Sequence, residues 1–175
     1  KENFPSRWDA YRNIHFPVSP DAYEKALQRL KFEEFFIAQV RLGLIKSSRH
    51  RFSRGFIFEK VGSLFNDFYN HHLPFSLTGA QKRVLKEIRK DTGSGRQMNR
   101  LLQGDVGSGK TIVALMSMLI ALDNGFQSCL MAPTEILANQ HFNGLSELAK
   151  ELNINIKILT GSTKIATRRI IHEEL

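Results

Sequence analysis

Eight consecutive residues, Gly104, Asp105, Val106, Gly107, Ser108, Gly109, Lys110 and Thr111, fit the pattern G-x-x-x-x-G-K-[ST]. The chemistry such a pattern performs is capture of a polyphosphate. A turn that opens a helix aims unpaired backbone N–H groups at the anion from the positive end of the helix dipole. Gly107 and Gly109 let the backbone curl and approach without a Cβ clash. Lys110 supplies a mobile ammonium that can follow charge on the β and γ phosphates, and the Thr111 hydroxyl is placed to ligate Mg²⁺. The bland alternative is a glycine-rich turn met by chance, which at average glycine usage arises in roughly one chain of this length per hundred. The expected ligand is therefore a nucleoside triphosphate with Mg²⁺.

Such a loop works only between a strand and a helix, and the flanks supply both. A strand is expected at 100–103 and a helix at 110–123, closed by Gly125 in a left-handed cap. From Leu77 onward short apolar runs alternate with helical patterns: helix 79–90, strand 128–132, helix 135–152 and strand 154–159. This predicts an α/β fold of the P-loop NTPase, RecA-like type, a partial parallel sheet with crossover helices preceded by an α-helical segment. In an open parallel sheet ligands bind at the carboxyl ends of the strands. Two further loops fall at that edge. Pro133 lacks an N–H and ends its strand, and Thr134 caps the next helix, so free amides there could receive a phosphate. Thr160, Gly161 and Ser162 are small and polar, and allow a nucleic-acid backbone close approach. Both stretches also read as an ordinary cap and an ordinary turn. The Gly- and Ser-rich loop 92–97 is expected to be mobile.

The first part of the chain is helical in texture. Ser19, Pro20 and Asp21 form a helix start, and Leu27, Leu30, Ile37, Val40 and Leu44, widened by Phe32, Phe35 and Phe36, give helix 20–44 a broad buried face. The polar stretch 46–53 breaks that pattern. The aromatic segment 56–69 reads as another helix, weakened by Gly62. Adjacent His71 and His72 point about 100° apart on a helix and have no cysteine or carboxylate cluster, so no metal site is expected. Pro74 marks a boundary, giving a helical segment 1–72 and a first part of a motor-type domain 73–175.

Lys and Arg outnumber Asp and Glu by 25 to 17, for a net charge of +8, which favours an anionic partner such as nucleic acid. Lys46, Arg49, His50, Arg51 and Arg54 are the densest basic cluster and read by default as a solvated loop. No run approaches the roughly 20 apolar residues of a membrane span. The lone Cys129 reads as a small buried hydrophobe, and together these features suggest a cytoplasmic protein. The chain begins at Lys1 and stops at Leu175 within a helical pattern, so a piece of a longer protein is expected.

Four strings then stand together: FSLTGAQ at 75–81, RLLQGDVGSGKT at 100–111, MAPTEILANQH at 131–141 and LTGS at 159–162. They resemble the RecG family of bacterial ATP-dependent DNA helicases, superfamily 2 motors acting on branched DNA. IHFPVSP at 14–20 and RLKFEEFF at 29–36 resemble the segment joining that family's wedge domain to its motor, so the resemblance covers most of the chain. It implies ATP and Mg²⁺ as cofactors, and branched DNA (stalled forks, Holliday junctions) as partner, with a monomer expected and no membrane. It also implies that Gln81 reads the adenine edge, although Thr78 to Gln81 is equally a capping box that would tie off its own helix. Pro133 and Thr134 then fall in a motif that touches one DNA strand. The same resemblance implies a DEQH acid and an arginine finger beyond these residues, so that the chain alone hydrolyses ATP poorly.

Rival readings remain. The motor of the transcription-repair coupling factor shares the signature, but typically has Phe where Ser108 stands and lacks the wording around Glu135. A small-molecule phosphotransferase would need an acceptor pocket with its own acid or base, and none is evident after Leu115. A DNA-binding module with a vestigial loop sits poorly with an intact Lys110 and Thr111.

Overall fold

A computed structural model of the chain describes residues 4–52 and 54–175. The chain forms two compact units, Lys1–Ser53 and Arg54–Leu175.

The first unit is a helical pair, α1 (Arg7–His15) and α2 (Pro20–Phe52). Helix α1, which the sequence pattern did not announce, starts where the Ser6 hydroxyl accepts the Asp9 amide at 3.1 Å. Ala10 and Ala26 are fully buried, and Arg7 and Arg29 both pair with Glu33, at 3.2 and 3.1 Å. Two expectations for α2 are corrected. It does not stop near residue 44 but runs to Phe52, because no Pro intervenes there, the single Gly43 costs a helix interior only about 1 kcal/mol, and a change from apolar to polar residues is no obstacle to helix. The side chains of 49–52, including the basic Arg49, His50 and Arg51, lie outside the described residues. Nor is its apolar stripe broadly buried within this unit: Phe32, Phe35, Phe36, Ile37, Val40 and Leu44 are all exposed, Phe35 to 70%. A nine-residue α1, about 14 Å long, cannot cover a helix of 33 residues, about 50 Å.

In the second unit the helix expected at 56–69 begins only with α3 (Ser63–Asp67), followed by a π-helical turn, Phe68–His72. The preceding residues give their backbone groups to distant partners instead. The Asp123 carboxylate accepts the amides of Gly62, Leu64 and Phe65 at 2.9, 3.0 and 3.1 Å, a cap supplied from some sixty residues away. The Asn124 side chain pairs with both backbone groups of Lys60, at 3.2 and 2.8 Å. Loop 92–97, expected to be mobile, is tied to the same segment: Gly55 and Phe58 donate to the carbonyls of Gly95 and Thr92 at 2.9 and 3.1 Å, and Arg54 bridges Arg96. Residues 54–72 therefore pack with the helices C-terminal to them, and the boundary expected at 72/73 falls inside this unit.

Four more helices complete the unit: α4 (Gly79–Thr92), α5 (Lys110–Asp123), α6 (Glu135–Leu148) and α7 (Ile165–Glu174). Helix α5 is apolar almost all round and sits at the centre, with seven buried residues. Phe68, Leu77, Leu85, Ile88, Leu145 and Leu152 pack in the same core. Gly125, at φ 78°, closes α5 as expected, with Gly125 N–H on the Leu122 carbonyl at 2.9 Å and Phe126 N–H on that of Ala121 at 3.0 Å. Helix α6 is shorter than expected, ending at Leu148 before a 3₁₀ turn, Lys150–Leu152.

The segments 100–103, 128–132 and 154–159 link these helices, but none forms a strand among the described residues. The parallel sheet expected there is not shown. A strand exists only through its partner, and local β propensity supplies no ladder. Side chains that a two-sided sheet would bury stand exposed, Leu101 and Met131 each to 89%. Cys129, expected to be buried, is exposed for the same reason. No helix among the described residues is long and apolar enough to cross a membrane.

Candidate functional site

At the head of α5 the eight-residue loop forms an open turn pinned by the Ser108 amide on the Asp105 carbonyl at 3.1 Å. Gly107 and Gly109 take left-handed φ values of 79° and 78°, and Gly109 is the residue before the first turn of α5. Among the described residues the amides of Gly107, Gly109, Lys110 and Thr111 meet no acceptor, as the first amides of a helix do. The Lys110 side chain folds back over the loop, its Nζ donating to the carbonyls of Gly104 and Asp105 at 2.8 and 2.7 Å. Val106 is fully exposed at the tip, and Thr111 is half-buried beside the buried Ile112 and Val113. Arg100, ahead of the loop, is tethered to α4 by Glu87 at 2.7 Å and by Asp91.

Gln81 joins α4 to this loop. The capping box is present: the Thr78 hydroxyl accepts the Gln81 amide at 3.2 Å and Gln81 Oε1 accepts the Thr78 amide at 2.8 Å. The same side chain donates from Nε2 to the Ser108 carbonyl at 2.9 Å. A Cβ at Gly109 would overlap that nitrogen and displace the Gln81 amide, while the φ of 78° disfavours any other residue there by conformation. The tie to Ser108 spans 27 residues and had no signal in the sequence. It leaves Gln81, only 9% exposed, with one amide hydrogen and one carbonyl lone pair for any other partner.

The two remaining loops meet elsewhere. Pro133, Thr134, Thr160 and Gly161 line one pocket of about 350 Å³, with Glu135 and Arg168 in the same wall. Thr134 caps α6 through the Leu137 amide at 3.3 Å. Thr160 accepts a hydrogen bond from Arg168 Nη2 on its carbonyl at 2.7 Å, and its amide donates to the Thr163 hydroxyl at 2.8 Å. The Ser162 hydroxyl donates to the Glu135 carboxylate, linking the two loops directly. Glu135, although it lies in the string 131–141, and Arg168 were not among the expected site residues, and nothing local marks Arg168. No hydrogen bond among the described residues joins this cluster to the phosphate loop. A larger cavity, of about 570 Å³, lies among α3, α4 and α5 and includes none of the expected residues.

His71 and His72 both turn to Asp67, at 2.8 and 3.2 Å, and the hydrogen bond from His71 above all holds the Asp67 carboxyl below its ordinary pKa.

A buried helix headed by a left-handed glycine, free amides and a lysine folded over the turn are the features of a P-loop nucleotide-binding domain. The chain belongs to the DEAD/DEAH box helicase family, whose model matches residues 78–174. It is 44% identical over 179 residues to the ATP-dependent DNA helicase RecG of Streptococcus pneumoniae serotype 4 (strain ATCC BAA-334 / TIGR4), covering 100% of this chain and 26% of that protein. The RecG of Thermotoga maritima is 44% identical over 155 residues, covering 89% of this chain and 20% of that one. A solved structure of RecG bound to a three-way DNA junction superposes with a TM-score of 0.82 at 39% identity, over 100% of this chain and 25% of that chain. The fold is thus of the RecA-like helicase kind. The chain spans about a quarter of the length of these relatives.

Proposed function

We propose that this chain supplies the nucleotide-binding part of an ATP-dependent DNA helicase or translocase that acts on branched DNA, such as stalled forks and Holliday junctions. The observation that carries the reading is the open, amide-lined turn at the head of α5, in a chain similar over its whole length to helicases of that kind.

The residues present fit ATP with Mg²⁺. Free amides of Gly107, Gly109, Lys110 and Thr111 would hold the phosphates, with Gly104, Asp105, Val106 and Ser108 completing the turn. Lys110 rests on two neutral carbonyls, and phosphate oxygens are stronger, charge-assisted acceptors, so the ammonium transfers to them. The half-buried Thr111 hydroxyl, which makes no hydrogen bond among the described residues, would supply one oxygen to Mg²⁺. A Mg²⁺ held there would supply positive charge to offset that developing on the phosphates. Gln81 reads the adenine edge with its remaining hydrogen and lone pair while holding the loop through Ser108. Pro133, Thr134, Thr160, Gly161 and Ser162 contact a DNA backbone, the last three drawn up to the first two by the Glu135 bond.

The test is Lys110→Ala in the full-length protein. ATP-driven unwinding of a junction should be lost, and most junction binding should survive. Retained unwinding would overturn the assignment.

A further inference from the structure

We propose that Arg168 is a contact to a DNA phosphate, seated in the notch that the 133–135 and 160–162 loops build together, and that Glu135 both shapes that notch and limits its affinity. The inference deepens the DNA reading above and rests on it. Arg168 stands in the fourth position of α7, half-buried, and enters the pocket wall beside Pro133, Thr134, Thr160 and Gly161. Of its five N–H groups one is engaged, by the Thr160 carbonyl at 2.7 Å, and no carboxylate pairs with it among the described residues. That single bond anchors one corner of the guanidinium and leaves four N–H donors of its planar fork, the donor geometry that matches two phosphate oxygens.

The rest of the wall narrows the ligand. No aromatic side chain lines the pocket, so the platform on which bases ordinarily stack is lacking, and the polar and charged groups of the wall suit the sugar-phosphate backbone. Glu135 is the one acid in the wall. Through the Ser162 hydroxyl it ties together two loops 27 residues apart, and its charge opposes any anion that enters. Arg168 and Glu135 therefore act in opposite senses on the same phosphate, which a purely structural pair would not do. Glu135 is a positioning residue, acting through Ser162.

The experiment uses the full-length protein and a dye-labelled three-way DNA junction without nucleotide, titrated between about 50 and 200 mM salt. Arg168→Gln should reduce the salt slope by the equivalent of one phosphate, about 0.7 to 0.9, and weaken binding roughly five- to tenfold near 0.1 M. Arg168→Lys, which keeps the charge and loses the fork, should restore most of the slope. Glu135→Gln keeps an acceptor for Ser162 and removes the opposing charge, so it should tighten binding about threefold with little change in slope. An unchanged slope in Arg168→Gln, whatever the affinity, would make the arginine a strut for the Thr160 loop and overturn the proposal; so would a lysine variant that leaves the slope reduced. A wild-type protein without salt-dependent junction binding would instead remove the DNA reading itself, and is recognisable because no variant is needed to see it.

Discussion

At the head of α5 the polar groups left open are main-chain amides, set by two left-handed glycines inside eight consecutive residues. In the notch beside α7 they are side chains, Thr134, Glu135, Ser162 and Arg168, drawn from two loops and a helix. The first arrangement is fixed by backbone conformation and tolerates almost no change of residue at its glycines. The second is fixed by side-chain hydrogen bonds, one between Ser162 and Glu135 and others to the main chain at Thr160 and Leu137, and can be altered one charge at a time. A backbone-built site is therefore expected to fail abruptly when its conformation is disturbed, and a side-chain-built site to fail by degrees.

The sharpest way to break this contrast is Gly109→Ala. An alanine at φ 78° carries about 1–2 kcal/mol of strain, and its Cβ would run into Gln81 Nε2. Nucleotide affinity should fall at least tenfold, with the far-ultraviolet circular dichroism unchanged. An alanine variant that binds nucleotide as the wild type does would show that the turn is not held by its backbone.

Asp123→Ala probes the other end of the same helix. Three amides lose a shared carboxylate acceptor, so urea unfolding should show a loss of about 2 kcal/mol. The carboxylate lies a helix length of 14 residues, about 20 Å, from the phosphate loop. Nucleotide affinity should therefore stay within about twofold once the protein is folded, and a large loss would mean that the two ends of α5 are coupled.

A smaller effect is expected from Gln81→Glu. The substitution keeps an acceptor for the Thr78 amide and removes the donor to the Ser108 carbonyl, leaving the capping box and loosening the loop. Stability should drop by about 1 kcal/mol and nucleotide affinity a few-fold. ATP should lose more than GTP if Gln81 also reads the base; equal losses would confine its role to holding Ser108.

The contrast also explains what could be read from the residues alone. Helix α5 was legible at both ends, because Gly109, Lys110 and Gly125 encode its limits within a few positions. The capping box of α4 was legible for the same reason, and Thr78 and Gln81 form it. Asp123 as the cap of α3, Gln81 on Ser108, and Arg168 on Thr160 were not, since each joins positions whose proximity only the fold decides. The same holds for the apolar stripe of α2 and for the segments 100–103, 128–132 and 154–159: hydrophobic patterning announces that a face needs a neighbour without naming it.

The central claim is that amides at the head of α5, helped by Lys110, hold a polyphosphate, and a fluorescent-ATP titration of the full-length protein with and without Lys110→Ala tests it most directly. Saturable, Mg²⁺-dependent binding displaced by ATP, weakened at least tenfold in the variant, is the predicted result. Equal affinity in the two proteins, or no binding by the wild type, would contradict the account.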